Sequence, residues 1–104
     1  IRSGIVTVDG AGRLLHANPA AEQLLGLALA GREGQPVLAE VRRVAPELAE
    51  ALLAATRGVR TTRAEGTIAR GGQDATIGVT TTIAESAADA GTAGARTATA
   101  IFSD

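Results

Sequence analysis

The chain has 104 residues, with 10 basic and 11 acidic side chains and a net charge of −1 at pH 7. This balance predicts no broad attraction to nucleic acid or to an anionic membrane, and the absence of cysteine excludes disulfides, thiol nucleophiles and thiolate-bound metals. Phe102 is the only aromatic residue, so we expect a core of small aliphatic side chains and no base stacking on aromatic rings.

The first third of the chain is predicted to form a β-hairpin followed by a helix. β-Branched and apolar residues predict strands over 4–8 and 13–17, with an Asp-Gly-Ala-Gly turn between them. Asn18 and Pro19 form the corner where strand gives way to helix, because asparagine is a favoured N-cap and proline suits the first helical position. The helix is expected to end at Leu25, before a glycine.

Helical spacing and turn residues divide the middle of the chain. Glycines and a proline interrupt 27–36, which we expect to be irregular or to hold a single helical turn. Apolar residues at helical spacing predict a second helix over 37–44. Pro46 opens a third helix, with glutamates in its early turns, and Gly58 ends it.

The last third of the chain changes to the two-residue period of strands. Loose alternation predicts a strand over 62–70, a glycine pair predicts a second hairpin turn over 71–74, and clear alternation predicts a strand over 75–84. The small residues of 86–95 are expected to form a mobile loop, and 96–102 a final strand. Two hairpin regions with helices between them predict an α+β domain with an antiparallel sheet.

Three segments of the sequence resemble PAS domains. SGIVTVDGAGRLLHANPAAEQLLGL (3–27) is similar to the opening strands and first helix of that family, GGQDATIGVTTTIAE (71–85) to its second hairpin, and ATAIFSD (98–104) to its last strand. The resemblance covers essentially the whole chain. It implies a five-stranded antiparallel sheet of order 2-1-5-4-3, with short helices packed on one face, in a sensory or dimerisation module that serves an output domain.

The resemblance also implies roles for individual residues. Asn18, with Pro19, would form the structural corner where the sheet turns into helices that wall a ligand cavity. Phe102 and Asp104 would lie where a signal leaves the domain along the last strand. Four apolar positions could line that cavity, although filling an ordinary core is the favoured role for them: Leu48, Leu52, Ile77 and Val79.

The usual PAS cofactors are not expected in this chain. Flavin photoreceptor members use a reactive cysteine, and haem-binding members ligate iron through a histidine of the long helix; the chain lacks the first, and 46–57 lacks the second. The only histidine, His16, falls on the second strand, where a structural role is favoured over a ligand or pH-responsive one. We therefore expect no haem, flavin or metal, and the alternatives are an unidentified small ligand and an empty core.

No catalytic residue is predicted, because the acidic residues are scattered over turns and helix starts and no Ser-His-Asp order stands out. The leading hypothesis is a regulatory PAS module of a bacterial, cytoplasmic sensor histidine kinase. The alternatives are a PAS module of a sigma-54-type activator or of a diguanylate cyclase, and a purely structural dimerisation domain. A small stand-alone enzyme like the steroid isomerases is disfavoured, because those need a tyrosine-type donor that this chain lacks.

The expected partners are a second copy of the chain and a covalently linked output domain. The sequence begins with Ile1 rather than methionine, so residues 1–104 are expected to be a single domain excised from a longer protein. No nucleic acid contact is expected, because the charge is near balance. No membrane contact is expected either, because no apolar run approaches the roughly 20 residues that span a bilayer. A homodimer would pair through the sheet face opposite the helices, which would present alternating apolar and threonine residues from the first, fourth and fifth strands.

Overall fold

Five strands and three helices make up the computed structural model, which describes residues 3–70, 72–85 and 96–104. The strands form one antiparallel sheet of order β2-β1-β5-β4-β3, and the helices pack against one of its faces. The α+β class, the sheet order and the one-sided helices expected above are confirmed. The elements are β1 (Gly4–Asp9), β2 (Leu14–Ala17), α1 (Pro19–Leu25), α2 (Leu38–Val44), α3 (Pro46–Thr56), β3 (Ala64–Arg70), β4 (Gln73–Glu85) and β5 (Arg96–Ser103).

Both strands of the second hairpin begin at a different residue from the one predicted from the sequence. β3 begins at Ala64 rather than at residue 62, because Arg63 adopts a φ of 52°, in the left-handed region that interrupts an extended run. β4 begins earlier than expected, at Gln73, whose backbone pairs with Arg70. The mobile loop expected over 86–95 lies outside the described residues.

The core lies between the inner face of the sheet and the helices. Along β4, Ile77 and Val79 are buried and Gly78 between them is exposed, as the two-residue period predicts. Valines and alanines of β1 and β5 line the same face, so the small side chains foreseen from composition fill most of the core. The largest buried side chains are Phe102, Leu14, Leu25, Leu29, Leu48, Leu52, Ile68 and Ile77.

The first turn of α3 packs directly on β3. A Cβ placed on Gly66 would lie 2.7 Å from the Cβ of Glu47, so glycine permits the helix to approach the strand this closely. The backbone N–H of Thr67 donates a hydrogen bond to Glu47 Oε1 over 2.8 Å. This bond holds the pKa of Glu47 below its ordinary value, and it covers part of the free edge of β3.

The turn after α1 is organised by a glutamate from inside the helix. Gly26 ends α1 with a φ of 67°, which favours glycine. The Glu22 carboxylate then accepts hydrogen bonds from the backbone N–H groups of Leu29, at 2.8 Å, and Ala30, at 3.0 Å. The Ala30 and Leu29 N–H groups stabilise the charged carboxylate and so hold the pKa of Glu22 below its ordinary value.

Acidification is expected to destabilise the domain, in part through Glu22. Because its pKa is lower in the folded state, the Glu22 carboxylate stabilises the fold above the ordinary glutamate pKa, and this contribution is lost as pH falls through the folded pKa. Urea unfolding between about pH 7 and pH 3 measures the effect. Glu22→Gln should unfold at less urea near neutral pH and lose less stability on acidification than the parent.

The exposed Glu33 provides the matched control for this prediction. Glu33→Gln removes one carboxylate without touching the turn after α1, so its urea midpoints should follow those of the parent at every pH. A Glu22→Gln protein whose midpoints fall with pH as steeply as the parent's would contradict the proposed contribution of Glu22.

Candidate functional site

The corner at Asn18 joins the first helix to the sheet. Its side-chain Oδ1 accepts hydrogen bonds from the backbone N–H groups of Ala21, at 2.9 Å, and Ile5, at 2.9 Å. Its Nδ2 donates to the backbone carbonyl of Ser3 over 3.0 Å. Pro19 occupies the first helical position. Asn18 is thus the N-cap of α1 and also a direct link between α1 and the backbone of β1.

The four positions expected to line a cavity are all buried in one apolar cluster. Leu48 and Leu52 lie on α3, and Ile77 and Val79 face them from β4. Three surface clefts of the domain are lined by other residues. The structure therefore places these four side chains together as core, and a role in holding a ligand stays a prediction.

These three clefts, all lined by described residues, lie around α3. The first, of about 420 Å³, separates α3 from β3 and is lined by Pro46, Glu47, Glu50, Ala51, Ala54, Thr61, Ala64 and Glu65. The second, of about 350 Å³, follows the end of α3 and is lined by Gly58, Arg60, Ile83, Glu85 and Arg96. The third, of about 270 Å³, lies between α2 and α3 and is lined by Leu38, Ala39, Arg42 and Leu53.

Phe102 occupies a central place in the core. It lies on β5, the middle strand of the sheet, opposite Gly4 of β1 and Val79 of β4. Its ring is 1% exposed. A Cβ placed on Gly4 would lie 2.6 Å from the ring atom Cζ and 3.0 Å from the Cα of Ala21 in α1. Phe102 therefore fills the space that Gly4 leaves, and β5 ends one residue later, at Ser103, next to the exposed Asp104.

None of the described helices covers the sheet face opposite the core, here called the outer face. Antiparallel registers place Ile5 of β1 opposite Ile101 of β5, and Thr7 of β1 opposite Thr99. The Oγ1 atoms of Thr7 and Thr99 are 2.9 Å apart and share a hydrogen bond. On β4, Thr80 lies beside Ile101, and Thr82 lies beside Thr99. The expected mixture of apolar and threonine residues is confirmed, and the registers now fix its members.

His16 lies at the border of the outer face. It is exposed on β2, where it pairs with Thr7. Within residues 3–70, 72–85 and 96–104, no three His, Cys, Asp or Glu side chains are grouped so that they could hold a metal ion. None of the helices in this part of the chain is long and apolar enough to cross a membrane.

A family model described as "PAS domain" matches residues 1–60, more than half of the chain. The chain belongs to the PAS family. This PAS domain thus has the sensory-module fold that the sequence motifs indicated. None of the curated proteins matches it.

Solved structures share the fold of this PAS domain. The E. coli DhaR(N)-DhaL complex matches 100% of it at a TM-score of 0.68 and 14% identity, and the domain spans about a third (32%) of that chain. The PAS domain of histidine kinase ThkA matches with 100% of each chain covered, at 0.65 and 16%. The PAS domain of nitrogen regulation protein NR(II) from Vibrio parahaemolyticus matches at 0.59 and 19%, over 95% of this chain and 86% of that one.

The most informative contacts of this PAS domain were not predicted from the sequence. The sequence indicated an N-cap at Asn18 but not its bonds to Ser3 and Ile5, and it assigned no role to Gly4 or Gly66. A glycine inside a strand is the available signal, because it often marks a place where another group approaches the backbone closely. Gly4 and Gly66 both meet that description in the structure.

Proposed function

We propose that this PAS domain is the sensory and dimerisation module of a bacterial two-component sensor histidine kinase. In this proposal residues 1–104 form one domain of a longer cytoplasmic protein, and the domain itself carries no catalytic residue. The observation that supports it most is the position of β5. This strand pairs with β1 on one side and β4 on the other, buries Phe102 in the core, and ends at Ser103, next to the exposed Asp104.

A change in the core would reach the end of the chain through Phe102. Close-packed interiors transmit displacement because few voids are available to absorb it. The ring of Phe102 fills the space over Gly4, so a shift of the ring would move β5 relative to β1. In the full protein, β5 would move the segment that follows Asp104 and bias a two-state output.

Fold similarity supports a kinase as the output domain, as an argument from analogy. The PAS domain of histidine kinase ThkA has this fold, as does the photoactive yellow protein domain of the sensor histidine kinase Ppr from Rhodospirillum centenum. A sigma-54-type activator and a diguanylate cyclase are the competing outputs, and the experiment below separates them.

Dimerisation is proposed to use the outer face. Ile101 is 39% exposed near the centre of that face, beside Ile5 and the hydrogen-bonded pair Thr7 and Thr99. A second copy that covered these residues would bury apolar area with few charged groups to desolvate. Two such faces would meet in a symmetric dimer, which would set the two following output segments side by side.

Incubation of the full-length protein with labelled ATP tests the kinase assignment. The expected product is a phosphorylated protein whose label is lost in acid and kept in alkali, as for phosphohistidine. A full-length protein that forms no phosphohistidine but makes cyclic diguanylate, or that activates sigma-54-dependent transcription, would overturn the assignment and identify the output domain.

The role of β5 is tested in the same assay by Phe102→Leu, which keeps an apolar side chain but removes the ring. The level of phosphorylation should change severalfold. Leu29→Ala, a core substitution outside the sheet, provides the control for loss of stability alone. If both variants changed phosphorylation only in proportion to their loss of stability, Phe102 would have no signalling role.

A further inference from the structure

We propose that the groove between α3 and the free edge of β3 binds an extended basic segment of a partner protein, which adds to the sheet as another strand. The groove is the 420 Å³ cleft described above. Its volume falls within the range of about 300–1,000 Å³ that is typical of ligand sites. The proposal is independent of the dimer and of the kinase assignment.

The edge of β3 offers main-chain hydrogen-bonding groups to the groove. β3 is the last strand of the sheet and pairs with β4 on its inner side. The N–H of Thr67 points away from β4, because it donates to Glu47. The backbone N–H and C=O groups of successive residues point to opposite sides of a strand. Glu65 is two residues before Thr67, so its N–H and C=O also point away from β4. Outward groups of this kind form the template on which an extended peptide adds.

α3 provides the opposite wall of the groove. Glu47, Glu50, Ala51 and Ala54 recur at intervals of three and four residues and therefore lie on one helix face. The alanines, together with Ala64, leave room for the side chains of an incoming strand. A helix beside an exposed strand edge combines main-chain pairing with pockets for alternate side chains, and this combination gives both affinity and specificity.

The charges of the groove select a basic partner. The α3 wall carries two carboxylates, those of Glu47 and Glu50, and no basic side chain is among the described residues that line the groove. Glu65 pairs with the exposed Gly78, so its side chain lies on the outer face, on the other side of the sheet from α3. Arg42 pairs with Glu50 from outside the groove over 3.1 Å, but both of these side chains are more than half exposed, so the pair is weak and can be exchanged. An acidic segment would be repelled, whereas lysine or arginine at alternate positions, which share the strand face turned toward α3, would meet Glu47 and Glu50.

Glu47 limits the length of the added strand. Its carboxylate already accepts the Thr67 N–H, and its stem lies against Gly66. The incoming segment would therefore pair at Glu65 and end where Glu47 covers the edge. A short pairing of this kind predicts a weak, salt-sensitive interaction.

Titration of the isotopically labelled domain with a blocked peptide of alternating arginine and valine tests the proposal by NMR at low salt. The largest shift changes should occur at the Glu65 amide and along the groove face of α3. N-methylation of the peptide at alternate residues, which removes the pairing donors, should weaken binding about fivefold or more. A peptide with glutamate in place of arginine should not bind.

Variants of the domain separate strand addition from simple charge attraction. Glu50→Gln, on the α3 wall, should weaken binding about twofold to fivefold, and Glu33→Gln, outside the groove, should leave it unchanged. Glu65→Pro removes the outward N–H without removing a donor to β4, and it should abolish binding while the thermal melt still reports a folded domain. Equal binding of the N-methylated peptide, shift changes elsewhere on the domain, or no binding at all would overturn the proposal.

Discussion

Replacing Phe102 by alanine is expected to lower the free energy of unfolding by about 3–5 kcal/mol. The ring is the only aromatic group of the chain and is 1% exposed. Gly4 has no side chain that could fill the resulting cavity, and the neighbouring core residues on β5 are alanines. Domains of this size are stable by only about 5–15 kcal/mol, so the variant should be close to unfolding.

This effect is measured by comparing the free energies of unfolding in urea of two separate variants, Phe102→Ala and Ile101→Ala. Ile101 precedes Phe102 on β5 but points to the outer face, where it is 39% exposed. Its replacement should cost about 1–2 kcal/mol, less than the loss expected for Phe102, because more than a third of Ile101 is already exposed to water. Losses of equal size in the two variants would contradict the assignment of Phe102 to the core and of Ile101 to the outer face.

Asn18→Ala is expected to lower the free energy of unfolding by about 2–3 kcal/mol. Loss of an N-cap alone costs about 1 kcal/mol. The substitution also leaves the partly buried N–H of Ile5 without its partner, and an unsatisfied buried group costs about 1–3 kcal/mol. The carbonyl of Ser3 loses a hydrogen bond as well, but this bond is exposed, so water can replace it. Ile5 and its bond to Asn18 are only partly buried, so the total is placed at the lower end of the sum.

Two further substitutions divide this effect between the cap and the link to β1. Asn18→Ser keeps a good N-cap but has too short a side chain to bond Ala21, Ile5 and Ser3 together, so an intermediate loss is expected. Gln23→Ala, on the exposed side of α1, should change stability little. An Asn18→Ser domain as stable as the parent would show that the bonds to β1 contribute nothing.

Local patterns in the sequence predicted most of the secondary structure. Alternation along β4 and the Asn18-Pro19 corner depend on neighbouring residues, so their effects can be inferred from short windows. The order of the strands was not obtained in this way. It came from the resemblance to PAS domains, because pairing of β1 with β5 joins residues almost a whole chain apart.

Contacts between residues far apart in the chain could not be predicted from the sequence, because short windows do not connect such residues. Phe102 lies over Gly4, and Glu47 packs on Gly66, but no periodicity connects the members of either pair. The outer face was foreseen as a mixture of apolar and threonine residues. Its members depended on the strand registers, since a shift of one residue exchanges the two faces of a strand. The late start of β3 was not predicted, because the left-handed backbone at Arg63 is usually found at glycine or asparagine and not at arginine.

Sedimentation equilibrium of the domain at rising concentration tests most directly the claim that it is a dimerisation module. The parent should form a dimer, and Ile101→Glu, which places a charge on the outer face, should remain monomeric at the same concentrations. Val59 is 58% exposed beyond α3, so Val59→Glu adds the same charge elsewhere and should associate as the parent does. A parent that stays monomeric to its highest soluble concentration, or an Ile101→Glu variant that dimerises equally well, would contradict the account.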